Sequence, residues 1–196
     1  KVWKKLNKKN KKKIYLIGNF NLLSKQFKKL RYKIRMIRIS DIKYENNSNN
    51  LKVIDVPINF GNPFKVNLKE SSNYVLKSLN LAHYLIKRKY AKAIINCPIN
   101  KKLIQKSKKI GVTEFFASKC KIKDSSEIMF IHNKNFSVVP LTTHFDIKNV
   151  TKNISRSIIN KKLITLNREF NRLFKFKPKI GVLGLNPHNS ELKKNS

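Results

Sequence analysis

His144 and His188 are the residues whose type and placement suit shared chemistry. The first follows Phe136-Ser137-Val138-Val139-Pro140-Leu141-Thr142-Thr143, and the second follows Ile180-Gly181-Val182-Leu183-Gly184-Leu185-Asn186-Pro187. Each run passes from a buried-strand composition into small, polar or proline residues, then sets an imidazole at the strand's carboxyl end. Ligands of open α/β sheets collect in the crevice outside those ends. Two neutral imidazoles from neighbouring strands can share a divalent cation. One histidine in such a place more often satisfies a loop's hydrogen bonds. The repeated placement favours the metal.

The elements that must deliver these histidines are read from apolar spacing. Strands are expected over residues 14–18, 34–39, 53–56, 93–97, 128–131, 136–140 and 180–185. A helix tail is expected over 2–6, a helix over 22–30, and a long helix over 71–89 with Ser71 or Ser72 as its cap. Val75, Leu79, Ala82 and Ile86 give that helix its apolar face. A short helix is expected over 100–108, and Thr113 is expected to cap another through Phe116. Leu163, Leu166, Phe170 and Leu173 mark a second long amphipathic helix. His83 reads as a surface or packing residue, and His132 as a turn residue without a partner. Uniformly apolar strands alternating with helices predict a largely parallel or mixed sheet covered on both faces, a three-layer α/β/α fold. No G-x-G-x-x-G stands between a strand and a helix, and no phosphate loop is present.

The sequence of 196 residues has room for one core and part of another. Its 45 Lys and Arg against 10 Asp and Glu give a formal charge of +35. That excess suggests nucleic acid or an anionic surface. The lysines, however, are spread over helix faces and loops, and no RNA-recognition, zinc-finger or basic-region motif accompanies them. The expectation is solvated charge with unspecific polyanion affinity and no specific nucleic-acid partner. Cys97 and Cys120 make neither a disulfide framework nor a Cys-rich zinc site, which suits a reducing, cytoplasmic setting. No run is long and apolar enough to suggest a membrane span. The first 13 residues, mostly Lys and Asn, do not read as a secretory signal. The chain opens on Lys, which suggests a missing amino terminus.

Three ordered segments resemble the 4-hydroxythreonine-4-phosphate dehydrogenase family of vitamin B6 biosynthesis. Cys97-Pro98-Ile99-Asn100-Lys101 is similar to the family's Pro-Ile/Val-Asn/His-Lys turn, and leads into Gly111-Val112-Thr113-Glu114-Phe115-Phe116, similar to its Gly-His-Thr-Glu-Phe. Leu141-Thr142-Thr143-His144 is similar to its Thr-Thr-His, and Gly184-Leu185-Asn186-Pro187-His188 to its Gly-Leu-Asn-Pro-His. The likeness spans nearly the whole chain and is strongest from Ala93 to Glu191.

The resemblance implies an isocitrate/isopropylmalate dehydrogenase-like fold and a homodimer with its site at the interface. It implies oxidation of 4-phosphooxy-L-threonine by NAD or NADP with a divalent zinc, magnesium or cobalt ion. The product is a β-keto acid that loses CO2 to give 3-amino-2-oxopropyl phosphate. His144 and His188 would be two of three metal-ligating histidines, and Thr113 and the residue before it would contact substrate. That preceding residue is His in the family and Val112 here, which removes a hydrogen-bonding group. A Val112→His change is expected to be tolerated and to restore the contact. Asn100 and Lys101 would face the same crevice, Lys101 meeting a phosphate as a point charge; their reading as solvated helix-start residues is nearly as strong. No catalytic or cofactor-binding residue is assigned. The family's Gly-rich opening, its third metal histidine and most of its cofactor contacts have no counterpart. Residues 1–196 are therefore expected to be an internal part of a dehydrogenase, one lobe and a piece of the second, inactive alone. The alternatives are an altered or inactive relative acting on another phosphorylated hydroxy acid, and a basic nucleic-acid-binding protein.

Overall fold

Three short apolar runs make the first sheet because each can bury only by lying beside another. In the computed structural model they are β1 (Tyr15–Gly18), β2 (Met36–Ile39) and β3 (Leu51–Asp55). The structure describes residues 2–40, 42, 48–104, 111–122, 126–143 and 146–185. The chain divides into two units, Lys1–Lys121 and Ile122–Ser196.

In the first unit the strand order is β1-β3-β2, all parallel. Gly18 pairs with Asp55 and Ile39 with Ile54, so the three strands end together at one edge. The middle strand is the most deeply covered, with Leu51, Lys52 and Val53 all buried. Helix α1 (Val2–Lys5) and helix α2 (Lys8–Lys13) precede the sheet. Asn7 caps α2 by accepting the Asn10 N–H at 2.8 Å. Helix α3 (Phe20–Lys29) links β1 to β2, the crossover that parallel strands require.

Helix α4 (Leu68–Lys87) starts earlier than the serines suggest. Asn67 is its cap, accepting the Glu70 N–H at 2.8 Å, while the Ser72 hydroxyl donates to the Leu103 carbonyl at 2.7 Å. Ser72 is therefore a buried strut between α4 and the 3-10 turn Lys101–Leu103. Leu79, Ile104 and Phe115 form the core there, with Val75, Leu76, Ile99, Val112 and Phe116 packed around them. Phe115 belongs to α5 (Val112–Lys119).

The second unit is built on a hairpin, β4 (Ile131–His132) and β5 (Ser137–Val138), paired antiparallel. Helix α6 (Ile147–Val150), a 3-10 turn at Thr151–Asn153 and helix α7 (Arg156–Phe174) follow. Ser155 caps α7, and Lys175 ends it in the left-handed conformation. Phe170 and Phe174 of α7 meet Phe130 at ring distances of 6.0 and 6.2 Å, tying helix to hairpin.

Two expected strands are not strands. Residues 93–97 and 180–185 take no regular structure, and Ile95 and Leu183 are 91% and 93% exposed. A strand needs a partner for its N–H and C=O groups, and among the described residues neither run has one. The expected strands over 128–131 and 136–140 shrink to two residues each.

Candidate functional site

The sequence-predicted site residues fall into two groups. His144 and His188 lie outside the described residues. The segments leading to them are described: Val139 to Thr143 are half-buried beyond β5, whereas Ile180, Val182, Leu183 and Leu185 are exposed. Among the described residues no group of three His, Cys, Asp or Glu could hold a metal ion.

The second group surrounds the Leu79–Ile104–Phe115 core. Ile99 and Val112 both pack on that core, so the residues that follow them, Asn100 and Thr113, start from one apolar support. Asn100 is exposed, and its side-chain oxygen accepts the Lys102 N–H at 3.1 Å while its carbonyl accepts the Leu103 N–H at 2.9 Å. It caps the turn that carries Lys101. Thr113 is exposed in the first turn of α5. It does not cap that helix: Gly111 holds the cap position, with no side-chain bond to offer. A methyl group on Gly111 would come within 2.9 Å of Glu114 Oε2, so the space beside it is filled by the glutamate.

Val112 belongs to this same support. Its isopropyl group is part of the apolar cluster with Phe115 and Leu79, so this position supports the core of the unit. An imidazole there would be set among hydrocarbon, not simply restored to a ligand.

A third constellation was not read from the sequence. It lies at the carboxyl ends of β1 and β3, where Gly18 and Asp55 are in register. Asp55 Oδ1 accepts the Phe20 N–H at 2.7 Å and the Asn19 Nδ2 at 3.3 Å, and its Oδ2 lies 3.4 Å from Arg38 Nε. Asn19, buried, caps α3 by accepting the Leu22 N–H at 2.8 Å. Its backbone N–H donates to the Tyr74 hydroxyl at 3.0 Å. Burial pushes the Tyr74 phenol upward, opposed by the Asn19 N–H and the Ser78 hydroxyl acting on its oxygen, with Asp55 adding a smaller push in the same direction as burial. A Cβ added at Gly18 would meet Leu23 Cδ1 at 3.1 Å, so that leucine would have to give way slightly. The carboxylate is committed to three donors and fixes the start of α3, a positioning role. The signal was the same as for the histidines: Gly18-Asn19 and Asp55 each close an apolar strand.

His132 also differs from expectation. It lies on β4, its Nδ1 is 2.8 Å from Ser137 Oγ, and its ring stacks on Phe130 at 5.5 Å and meets Phe174 at 4.8 Å. It has a structural role in the hairpin.

Comparison with known proteins covers both units. The family model of the pyridoxal phosphate biosynthetic protein PdxA matches residues 10–194. A 4-hydroxythreonine-4-phosphate dehydrogenase of Aquifex aeolicus is 40% identical over 101 residues, 50% of this chain and 31% of its own length. One from a Sulfurihydrogenibium species is 32% identical over 144 residues, 72% of this chain and 43% of its own. The crystal structure of the Klebsiella pneumoniae enzyme superposes with a TM-score of 0.77 at 21% identity, covering 89% of this chain and 55% of that one. The chain thus spans about half the length of the solved structure it matches. The likeness establishes the α/β fold class, three-layer α/β/α with a parallel sheet.

Proposed function

The chain belongs to the family of the pyridoxal phosphate biosynthetic protein PdxA, and on that premise we propose that the whole protein is a 4-hydroxythreonine-4-phosphate dehydrogenase of pyridoxal 5'-phosphate biosynthesis. It oxidises the secondary alcohol of 4-phosphooxy-L-threonine, with NAD or NADP accepting the hydride. The β-keto acid so formed loses CO2, because its new carbonyl takes up the electron pair, and yields 3-amino-2-oxopropyl phosphate. The observation that carries this reading is the family match over residues 10–194, a span that holds the motifs containing Thr113, His144 and His188 in order.

The donor chemistry fits a divalent ion: His144 and His188 offer imidazole nitrogens, ligands that zinc and cobalt accept readily and magnesium less so. Bound there, the ion would polarise the substrate hydroxyl as a Lewis acid. The chain's other assigned residues bind and orient. The exposed Thr113 hydroxyl can donate to or accept from the substrate, and Asn100 can donate through its side-chain NH2. Lys101 would meet the phosphate as a point charge. A cytoplasmic homodimer is part of the same proposal.

A second reading is favoured by one observation, the packing of Val112 into apolar core. A family member that has given up hydrogen bonding to substrate at this position would act on a different phosphorylated hydroxy acid, or have lost turnover. The test is NAD or NADP reduction by the full-length protein with 4-phosphooxy-L-threonine and a divalent ion. Turnover supports the first reading. Inactivity of folded, metal-loaded protein overturns it and leaves the second.

A further inference from the structure

Fifteen Lys and Arg and not one Asp or Glu fall in residues 1–40. Seven of those lysines, at positions 4, 5, 8, 9, 11, 12 and 13, sit within ten residues, a density about three times that of the whole chain. In the structure they occupy α1 and α2, and all but Lys11 are exposed. Among the described residues none of the seven makes an ion pair with an acid.

Helix α2 reads Lys-Lys-Asn-Lys-Lys-Lys, so Lys8 and Lys12, and Lys9 and Lys13, stand at i,i+4 and repel one another. A bound polyanion relieves that repulsion and releases its own counterions. Trp3 of α1 stands beside this charge, with Lys11 Nζ 5.9 Å from its ring centroid, and is half-exposed. An aromatic face next to a row of cations is what single-stranded nucleic acids use, phosphates on the lysines and a base on the ring. A membrane surface fits less well. Interfacial helices bury an apolar face, and α2 has no apolar residue.

We propose that α1 and α2 form a binding platform for single-stranded nucleic acid, separate from the dehydrogenase reading and independent of it. Recognition is of phosphate and base stacking, without sequence preference.

The test uses the full chain and a 5'-labelled oligouridylate of about 12 nucleotides, a length within the usual site sizes. Two variants carry equal charge loss: Lys4→Gln, Lys5→Gln, Lys8→Gln and Lys9→Gln in the platform, and Lys148→Gln, Lys152→Gln, Lys161→Gln and Lys177→Gln in the second unit, all exposed positions. The platform variant is expected to bind roughly tenfold or more weakly at low salt and to flatten the log–log salt slope by about 0.7 for each phosphate no longer neutralised. The second-unit variant should change affinity less than about twofold. Trp3 is the chain's single tryptophan, so its emission should change as the oligonucleotide binds. Equal losses in both variants overturn the proposal, as does binding that leaves Trp3 emission unchanged. Failure to bind the oligonucleotide, with a blue shift of Trp3 on phosphatidylserine vesicles, overturns it in favour of a membrane surface.

Discussion

Asn19 reaches from the end of β1 to the Val56 carbonyl, 3.0 Å from its Nδ2, while its side-chain oxygen caps α3. One buried amide therefore joins two strands and a helix. Asn19→Ala removes the cap and leaves the Val56 carbonyl without this donor. A loss of roughly 2–4 kcal/mol is expected in denaturant titration. Asn19→Asp keeps the cap but sets a second carboxylate beside Asp55, so it should be less harmful in acid than at neutral pH. A change below about 0.5 kcal/mol for Asn19→Ala would show that α3 is held by other contacts.

Val112→His separates core from crevice. Because Val112 packs with Leu79 and Phe115, the imidazole has to be accommodated among hydrocarbon. A destabilisation of about 1–3 kcal/mol is expected, measured by thermal or urea unfolding. Unchanged stability with tighter substrate binding would instead restore the ligand-facing role that the family pattern implies.

Lys52 predicts a pH dependence of stability. It is fully buried in β3, its Nζ donates to the Lys12 carbonyl and lies 4.5 Å from the Tyr15 ring centroid. Burial, then repulsion from Lys12, lowers its pKa from the ordinary 10.5. A lysine with a lower value folded than unfolded binds fewer protons in the folded chain, so stability rises with pH between the two values. Below the folded value the penalty is present in full; it fades as pH climbs to 10.5. Lys52→Met removes this dependence. The stability difference between Lys52→Met and the parent should therefore shift toward the parent as pH rises from neutral to 10.5. A difference that stays flat with pH would mean that Lys52 keeps its ordinary pKa.

The proposed metal ligands give a test in the full-length protein. His144→Ala and His188→Ala should each weaken divalent-ion affinity by more than the about 10–100-fold typical of losing an outer-shell partner, with most turnover lost as well. Isothermal titration with zinc and cobalt reads the affinity directly. Turnover and affinity that survive both changes would remove the histidines from the centre.

Where an element carries its own instructions, its sequence revealed it. Strands β1, β2 and β3 and helices α3, α4 and α7 followed from apolar spacing, and α4 and α7 needed only their periodic faces. The start of α4 was misplaced because Ser71 and Ser72 resemble caps, whereas Asn67 makes the bond. Runs 93–97 and 180–185 are as apolar as β3, but pairing is a property of two segments and no single run encodes its partner. The site was legible as motifs, and its geometry only in part. Thr113 and Asn100 share one support through Ile99 and Val112, a relation invisible until the core is seen. The Asn19–Asp55 pairing joins positions 36 residues apart, and neither residue alone announces the other.

The strand order β1-β3-β2 sets a timetable for the nascent chain. The two outer strands are synthesised first, and neither is the other's neighbour. Until Leu51–Asp55 emerges there is no middle strand to receive them, so neither ladder can form. Until then residues 1–40, with fifteen cations and no anion, lack that sheet. Non-local pairing of this kind slows folding. The emergence of β3 therefore sets when the two outer strands can pair.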